Sequence, residues 1–163
     1  MAVPEFERLQ IESVLGSASF SIRRGLGLHL MSVTDQSRVI FDVSVRPAMH
    51  KSGLDVRQME VAFDSFTALG EVATWIRKAE VITADLSDWN ADVAYVLGLC
   101  HALGRCPILL AKRPVDLPFN LEALRCVSYD ASAQGFFELR EELASVLRIF
   151  LTASRTGNDA PNE

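Results

Sequence analysis

The chain has 163 residues, of which 49% are hydrophobic and 23% charged, a globular composition that argues against a disordered chain and against a membrane protein. Its formal net charge of -5 argues against a nucleic-acid partner, because neutralising phosphates requires a surplus of lysine and arginine. The three cysteines lack paired spacing and are interpreted as buried thiols, and no signal sequence or long apolar span is recognised, so we expect a cytoplasmic protein without a membrane partner.

The first part of the chain contains one clear strand pattern. Residues 1–16 carry apolar side chains near helical spacing and predict a short amphipathic helix. Residues 17–35 mix alternation with glycines, and we leave them unassigned. The segment RVIFDVSV at 38–45 is rich in β-branched residues and almost continuously apolar, which predicts a strand buried in a parallel sheet. We expect the core of the domain to begin with this strand and to span residues 38–151. A second candidate strand follows at 56–63.

The rest of the chain alternates helices and strands. The predicted elements are a helix at 68–78, a strand at 80–86, a helix at 91–103, strands at 106–111 and 124–129, and a helix at 136–151. Asn90 is the expected N-cap of the helix at 91–103. Strand, helix and strand in such close succession are typical of a right-handed parallel crossover.

This order of elements predicts the fold class. We expect a single three-layer α/β domain over residues 1–153, with an open, mostly parallel, doubly wound sheet of about five strands, of the flavodoxin or Rossmann-like type. The polar tail at 154–163 is expected to be disordered.

Polar residues after the predicted strand 80–86 are the first candidates for a site, because sheets of this type bind ligands beyond the carboxyl ends of their strands. The start of the following helix would offer free N–H groups to phosphate or ribose oxygens. The candidate ligand-binding residues here are Asp85, Ser87, Asp88, Trp89 and Asn90.

Each of these residues also has a purely structural interpretation. Asp85 either accepts ribose hydroxyls or orders the loop, whereas Ser87 and Asn90 belong to types favoured in turns and at helix caps. Trp89 could stack on a base, cover the edge of the core, or contact a partner. Asp92, in the first turn of the helix, complements the helix dipole and would repel a phosphate.

The segment from Ala79 to Leu110 reads AEVITADLSDWNADVAYVLGLCHALGRCPILL and resembles the core of nucleoside 2-deoxyribosyltransferase-like and related TIR-like proteins. Their shared pattern is ADxVIADLTxxNxNVxYELGxAHALGKPVILL. The likeness continues through DLPFNLEALR at 116–125 and through Tyr129 and Asp130, where the family has DLPFDLxxLRxxxYD. The resemblance implies a pocket for a small-molecule nucleotide or nucleoside ligand, and pairing into a homodimer.

The catalytic residues of the family are the main departure. Its enzymes cleave or transfer an N-glycosidic bond with the glutamate of YELG, which attacks the anomeric carbon or stabilises its positive charge. Here the tetrapeptide is YVLG, and Val96 stands at the position of the glutamate. A second family acid corresponds to Val72, which is adjacent to Glu71.

We therefore expect a noncatalytic nucleotide-binding module, a pseudoenzyme that senses a ligand or scaffolds a partner. One alternative is an N-glycosidase or deoxyribosyltransferase of nucleosides or nucleotides in which Glu60, Glu71 or Asp92 has taken the missing role. Another is a homo-oligomeric interaction domain that uses its amphipathic first and last helices.

The remaining candidates are an arginine and the histidines. Arg46, at the end of the predicted strand 38–45, could meet an anion or could be a solvated side chain. His29 and His50 have no second ligand at metal spacing, and His101 falls far from the expected pocket. We expect no metal and no cofactor, since GxSxG, GxxxxGK[ST], GxGxxG and HExxH motifs do not occur.

Overall fold

The computed structural model describes residues 21–60, 66–114 and 125–157. Within them, five strands form one sheet in the order β2-β1-β3-β4-β5, and every neighbouring pair is parallel. The strands are β1 (Arg23–Met31), β2 (Asp55–Glu60), β3 (Ala79–Asp85), β4 (Ile108–Lys112) and β5 (Cys126–Tyr129). The predicted open, doubly wound α/β sheet is confirmed, with the strand order of flavodoxin-like domains.

Four helices cover this sheet in the described part of the chain. Helix α1 has three consecutive segments, α-helical Asp35–Ile40, π-helical Phe41–Val45 and α-helical Arg46–Lys51, and the others are α2 (Phe66–Lys78), α3 (Ala91–Ala102) and α4 (Ala133–Gly157). Helices α1 and α4 share one core cluster with the sheet, and α2 and α3 share a second one, which makes three layers. None of these helices is both long and apolar enough to cross a membrane.

The prediction of a strand at 38–45 is wrong, because this segment lies in α1. The Thr34 hydroxyl caps the helix by accepting a hydrogen bond from the Ser37 N–H at 3.1 Å. Val39 and Val43 are 47% and 46% exposed, so apolar residues on the solvent side made the segment look like a continuous buried run. The buried residues of α1 follow a helical period: Ser37, Ile40, Phe41, Ser44, Val45, Ala48 and Met49.

The missing strand is β1, in the segment that the sequence pattern left unassigned. Residues 26–31 are all buried, so no alternation between a polar and an apolar face identifies the strand. Gly25 has a φ of +79° next to a register shift against β3, which further breaks the pattern. A Cβ added to Gly27 would lie 3.1 Å from the Met49 Sδ, and the glycine lets α1 pack closely on β1.

The C-terminal end of the domain differs from the expectation as well. Helix α4 runs from Ala133 to Gly157, so residues 154–157, which were assigned to a disordered tail, are helical. Arg155 accounts for this extension, because it forms an ion pair with Glu80 on the sheet. The predicted helix at 1–16 and residues 158–163 lie outside the described residues.

The path of the chain creates a switch point between β1 and β3. From β1 the chain passes through α1, on one face, to the edge strand β2. From β3 it passes through α3, on the other face, to β4 in the opposite direction. The carboxyl ends of β1 and β3 therefore diverge, and a crevice at such a position is the usual ligand site of open α/β sheets.

Candidate functional site

At the switch point, one carboxylate lies among three hydroxyls. The Asp88 Oδ2 is 3.3 Å from the Ser32 Oγ, 3.2 Å from the Thr34 Oγ1 and 3.4 Å from the Ser37 Oγ. Ser32 and Ser37 are buried, whereas Asp88 is exposed. The sequence pointed to Asp88 but not to the hydroxyls: Ser32 and Thr34 belong to the unassigned segment 17–35, and Ser37 directly precedes the segment 38–45 that was mistaken for a strand.

The three hydroxyls are ordered by the start of α1. The Ser32 Oγ is 2.9 Å from the Ser37 Oγ, and the Thr34 Oγ1 is 2.7 Å from the same atom. Thr34 is also the N-cap, followed by an acidic residue, Asp35, in the first turn. A capping residue followed by an acid is a helix-start signal that could have revealed both α1 and this hydroxyl cluster.

Asp85 and Ser87 join the ends of three strands. The Asp85 Oδ1 accepts hydrogen bonds from the Ser87 N–H at 3.0 Å and from the Ser87 hydroxyl at 2.5 Å. The Ser87 Oγ accepts from the Lys112 N–H at 2.9 Å and lies 2.8 Å from the Tyr129 hydroxyl. Of the two interpretations of Asp85, these contacts support the one in which it orders the loop. The contact between Ser87 and Tyr129 could not be predicted from the positions of these residues in the sequence.

The electrostatic state of Asp85 follows from its burial. The residue is 5% exposed, and desolvation raises its pKa above the ordinary value, against the opposing effect of the Ser87 hydrogen bonds. The nearby Asp88 carboxylate raises this pKa further. Of the two carboxyls in this loop, Asp88 is therefore the one that is open to a ligand.

Asn90 is the N-cap of α3, as predicted. Its Oδ1 accepts hydrogen bonds from the N–H groups of Asp92 at 2.8 Å and Val93 at 3.2 Å. Asn90 therefore occupies two of the N–H groups at the start of α3, where free N–H groups were expected. Asp92 lies in the first turn of α3, where its charge complements the helix dipole.

Trp89 occupies an unusual backbone conformation beside the cluster. Its φ is +39°, in the left-handed region that few residues with a side chain adopt. Its N–H donates to the Leu86 carbonyl at 3.1 Å, and the residue is 43% exposed. The turn thus holds a large aromatic side chain at the surface next to Asp88.

The two glutamates considered as replacement acids are held in ion pairs. Glu60 ends β2 and binds Arg38 through two hydrogen bonds, of 2.9 and 3.1 Å, which lower the pKa of the Glu60 carboxyl. Glu71, on the exposed side of α2, binds Arg57 at 3.2 Å and accepts from the Trp75 Nε1 at 3.2 Å. Glu60 also accepts from the Gln58 Nε2 at 2.8 Å, so the described contacts of the two carboxylates are with arginines, an amide and an indole.

Arg46 lies away from the carboxyl edge. It belongs to the last segment of α1, where its Nη2 is 2.9 Å from the Asp42 Oδ1 and its guanidinium is 4.7 Å from the centre of the Phe41 ring. The predicted strand-end position of Arg46 is wrong, because the segment that was expected to be a strand is a helix.

Val96, at the position of the family glutamate, is fully buried. It packs in the cluster between α2, α3 and the sheet, together with Ile82 and Leu28. A carboxylate in this position would lie among apolar side chains. Both the residue type and the buried side of α3 on which it lies therefore differ from what the N-glycosidase chemistry of the family requires.

The three thiols differ in their burial. Cys100 is buried, which raises its pKa to about 12, but Cys106 is exposed, contrary to the expectation of three buried thiols. In the part of the chain that the structure describes, no group of three or more His, Cys, Asp or Glu side chains could hold a metal ion.

The chain finds no match among family models, curated proteins or solved structures. The carboxyl edge therefore has to be understood from its own residues. It offers a carboxylate, three hydroxyls and an exposed indole, a set suited to binding a polar ligand by hydrogen bonds and stacking.

Proposed function

We propose that the protein is a nucleotide or nucleoside-phosphate binding module, which holds its ligand at the β1/β3 switch point. The observation that carries this proposal is the contact of Asp88 with the hydroxyls of Ser32, Thr34 and Ser37. Ribose hydroxyls donate to a carboxylate in the same way. A ribose can therefore replace these protein hydroxyls on Asp88 and leave them to donate to phosphate oxygens.

Trp89 supports a ligand that contains a base. Its exposed indole offers an apolar face next to the carboxylate, and aromatic side chains in ligand pockets bind flat heterocycles by stacking. Hydroxyl recognition by Asp88 and stacking on Trp89 together fit a nucleoside better than a free sugar or an inorganic anion.

We infer a sensing or scaffolding role without catalysis. Val96 is buried, and Glu60 and Glu71 are engaged by arginines. Asp92, the third candidate acid, lies in the first turn of α3, where its charge complements the helix dipole. Asp88 is the carboxylate of the hydroxyl cluster, and in this proposal it binds ribose hydroxyls.

Isothermal titration calorimetry with AMP, dAMP, NAD and cyclic dinucleotides tests the proposal. We expect saturable binding of at least one of these compounds, weakened about tenfold or more in the Asp88→Asn variant, because a hydrogen bond to a charged acceptor contributes about 1.5–3 kcal/mol. Asp130→Asn is the matched control, since Asp130 lies after β5 at the same edge of the sheet and is paired with Arg113. Absence of binding at millimolar concentrations would refute the proposal.

The enzyme alternative has its own outcome in the same experiments. A working N-glycosidase would release free base from a deoxynucleoside monophosphate, and chromatography of the mixture would detect it. If the purified protein releases base and Glu60→Gln, Glu71→Gln or Asp92→Asn abolishes release, the noncatalytic interpretation fails.

Helix α3 supports a second candidate function, self-association. Its sequence, ADVAYVLGLCHA, has one acidic residue and one histidine among otherwise apolar or small residues apart from Tyr95, which is 58% exposed. A helix that is apolar on its solvent side as well is typical of a partner surface. We expect light scattering to detect a homodimer that Tyr95→Glu dissociates, and a concentration-independent monomer would exclude this candidate.

A further inference from the structure

A cavity lies at the amino edge of the sheet, opposite the candidate nucleotide site. It has a volume of about 350 Å³ and lies between the end of α1 and the last turns of α4. Ala144 and Leu151 supply apolar side chains to its wall, and the cations Lys51, Arg148 and Arg155 line it as well. A cavity of this size fits a small ligand with an apolar body and a charged group.

The charges around this cavity are unequally paired. Lys51 contacts the Glu141 Oε2 at 2.6 Å, and Arg155 contacts the Glu80 Oε1 at 2.7 Å. Among the described residues no carboxylate pairs with Arg148, which is exposed. The cavity thus has three cations and only two carboxylates that pair with them. Its local charge is positive, whereas the chain as a whole has a net charge of -5.

The arrangement on α4 directs the cations to one place. Arg148, Leu151 and Arg155 follow one another at three- and four-residue spacing, which puts them on the same face of the helix. Lys51 approaches from the end of α1 on the other side of the cavity. A planar carboxylate needs only one arginine, whereas a phosphate has several oxygens and can engage cations from two helices.

We propose that this cavity binds a small organic phosphate, with the phosphate on Arg148 between Lys51 and Arg155 and its apolar body on Ala144 and Leu151. The volume is at the lower end of the range for ligand pockets, which favours a compact monoester over a dinucleotide. This site does not depend on the proposed nucleotide site, since the two are at opposite edges of the sheet.

Calorimetric titration of the full chain with phenyl phosphate tests the proposal. We expect saturable binding that Arg148→Gln weakens about tenfold or more, because it removes a charge-assisted hydrogen bond. Arg113→Gln is the matched control, with the same charge change at the opposite edge of the sheet, where Arg113 pairs with Asp130, and it should leave the affinity unchanged. Inorganic phosphate lacks the apolar body and phenol lacks the phosphate. Each should therefore bind at least about tenfold more weakly than phenyl phosphate.

Three results would overturn the proposal. One is the absence of saturable binding of phenyl phosphate, and another is an equal loss of affinity in Arg148→Gln and Arg113→Gln, which would indicate unspecific attraction. The third is loss of binding in Asp88→Asn with full binding in Arg148→Gln, which would put the ligand at the switch point. That third result leaves the proposed nucleotide site standing and removes only this one.

Discussion

Arg155, near the end of α4, binds the buried carboxylate of Glu80 at the start of β3. The Arg155 Nε is 2.7 Å from one carboxylate oxygen and its Nη2 is 3.0 Å from the other. The Gly25 N–H donates to the same carboxylate at 2.5 Å. Glu80 thus links the last helix to both central strands, and the hydrogen bonds from Arg155 are the main reason that its pKa is lowered.

We expect Glu80→Gln to lower the free energy of unfolding at pH 7 by about 1–2 kcal/mol, because it weakens these bonds. A carboxyl whose pKa is lowered by folding stabilises the protein above its ordinary value of 4.5, and this contribution is lost as the pH falls through the folded-state pKa. Urea unfolding at several values between pH 7 and pH 3 should therefore show a gap between wild type and variant that closes in acid. Glu142→Gln, an exposed change on α4, is the control, and a gap independent of pH would contradict the prediction.

Asp85→Asn is expected to change stability in the opposite sense. Burial raises the pKa of Asp85, so its ionised form is disfavoured in the folded protein, and the stability it contributes falls as the pH rises from its ordinary value of 3.8 through the raised pKa. An asparagine Oδ1 can still accept both hydrogen bonds from Ser87. We expect the variant to be more stable than wild type by about 1 kcal/mol at pH 7, with the difference vanishing below pH 4. A destabilised variant at pH 7 in urea unfolding would show that the charge itself is needed.

His29 provides a test of the core at mildly acidic pH. It is fully buried on β1, stacks on Phe41 at 5.4 Å, and its Nδ1 is 2.8 Å from the Thr83 Oγ1. Burial lowers its pKa to about 3, from an ordinary value of 6.5. Between these two values the unfolded chain binds a proton that the folded protein does not, so stability is lost as the pH falls.

We expect His29→Phe to remove an acid sensitivity of about 1.4 kcal/mol per pH unit below pH 6.5. Urea unfolding at pH 6.5, 5.5 and 4.5 measures it, as the change in the difference between wild type and variant. His50→Gln, at an exposed position on α1, should keep the slope of the wild type. Parallel curves for wild type and His29→Phe would mean that His29 is protonated in the folded state.

Val96→Glu tests whether the family glutamate could act in this chain. The position is fully buried between α3 and the sheet, and an unpaired carboxylate there should destabilise the protein by about 3–5 kcal/mol. Val96→Ala, which only leaves a small void, should cost about 1–2 kcal/mol and keep the fold. Circular dichroism and thermal unfolding distinguish the two. A folded Val96→Glu variant that releases base from a deoxynucleotide would contradict this prediction and favour the enzyme interpretation.

Trp89 is expected to lower the stability of the folded protein while it strengthens nucleotide binding. Its φ of +39° costs about 1 kcal/mol for a residue with a bulky side chain, and asparagine tolerates this region better. We expect Trp89→Asn to raise the free energy of unfolding by up to about 1 kcal/mol and to weaken nucleotide binding about tenfold, because the stacking surface is lost. Trp75→Phe, on α2, is the control for loss of an indole elsewhere. Unchanged affinity in Trp89→Asn would remove the base from the proposed site.

Local signals predicted the central unit of the fold correctly. Asn90 precedes an apolar helix that Gly104 ends, and the strands on either side are short and apolar. Each of these features acts over a few residues, so it can be recognised without knowing the neighbours in space. The strand β3, the helix α3 and its cap therefore agree with the structure, apart from small shifts at their ends.

Hydrophobic periodicity failed to identify α1 and β1, because the apolar residues of these two elements are not confined to one buried face. In α1 the exposed Val39 and Val43 concealed the helical period, and β1 is buried on both faces, so it has no alternation. The predicted number of strands agrees with the structure only because one wrong strand was counted in place of β1.

The sequence by itself determined the α/β class, the crossover around Asn90 and the absence of a glutamate at Val96, because residue types and short-range spacing are sufficient for these. Only the tertiary structure decided that Asp88 meets Ser32 and Ser37, which are 56 and 51 residues away in the chain. It also decided that Glu80 holds Arg155 across 75 residues. Such contacts depend on which strands are neighbours in the sheet, and local periodicity carries no information about that order.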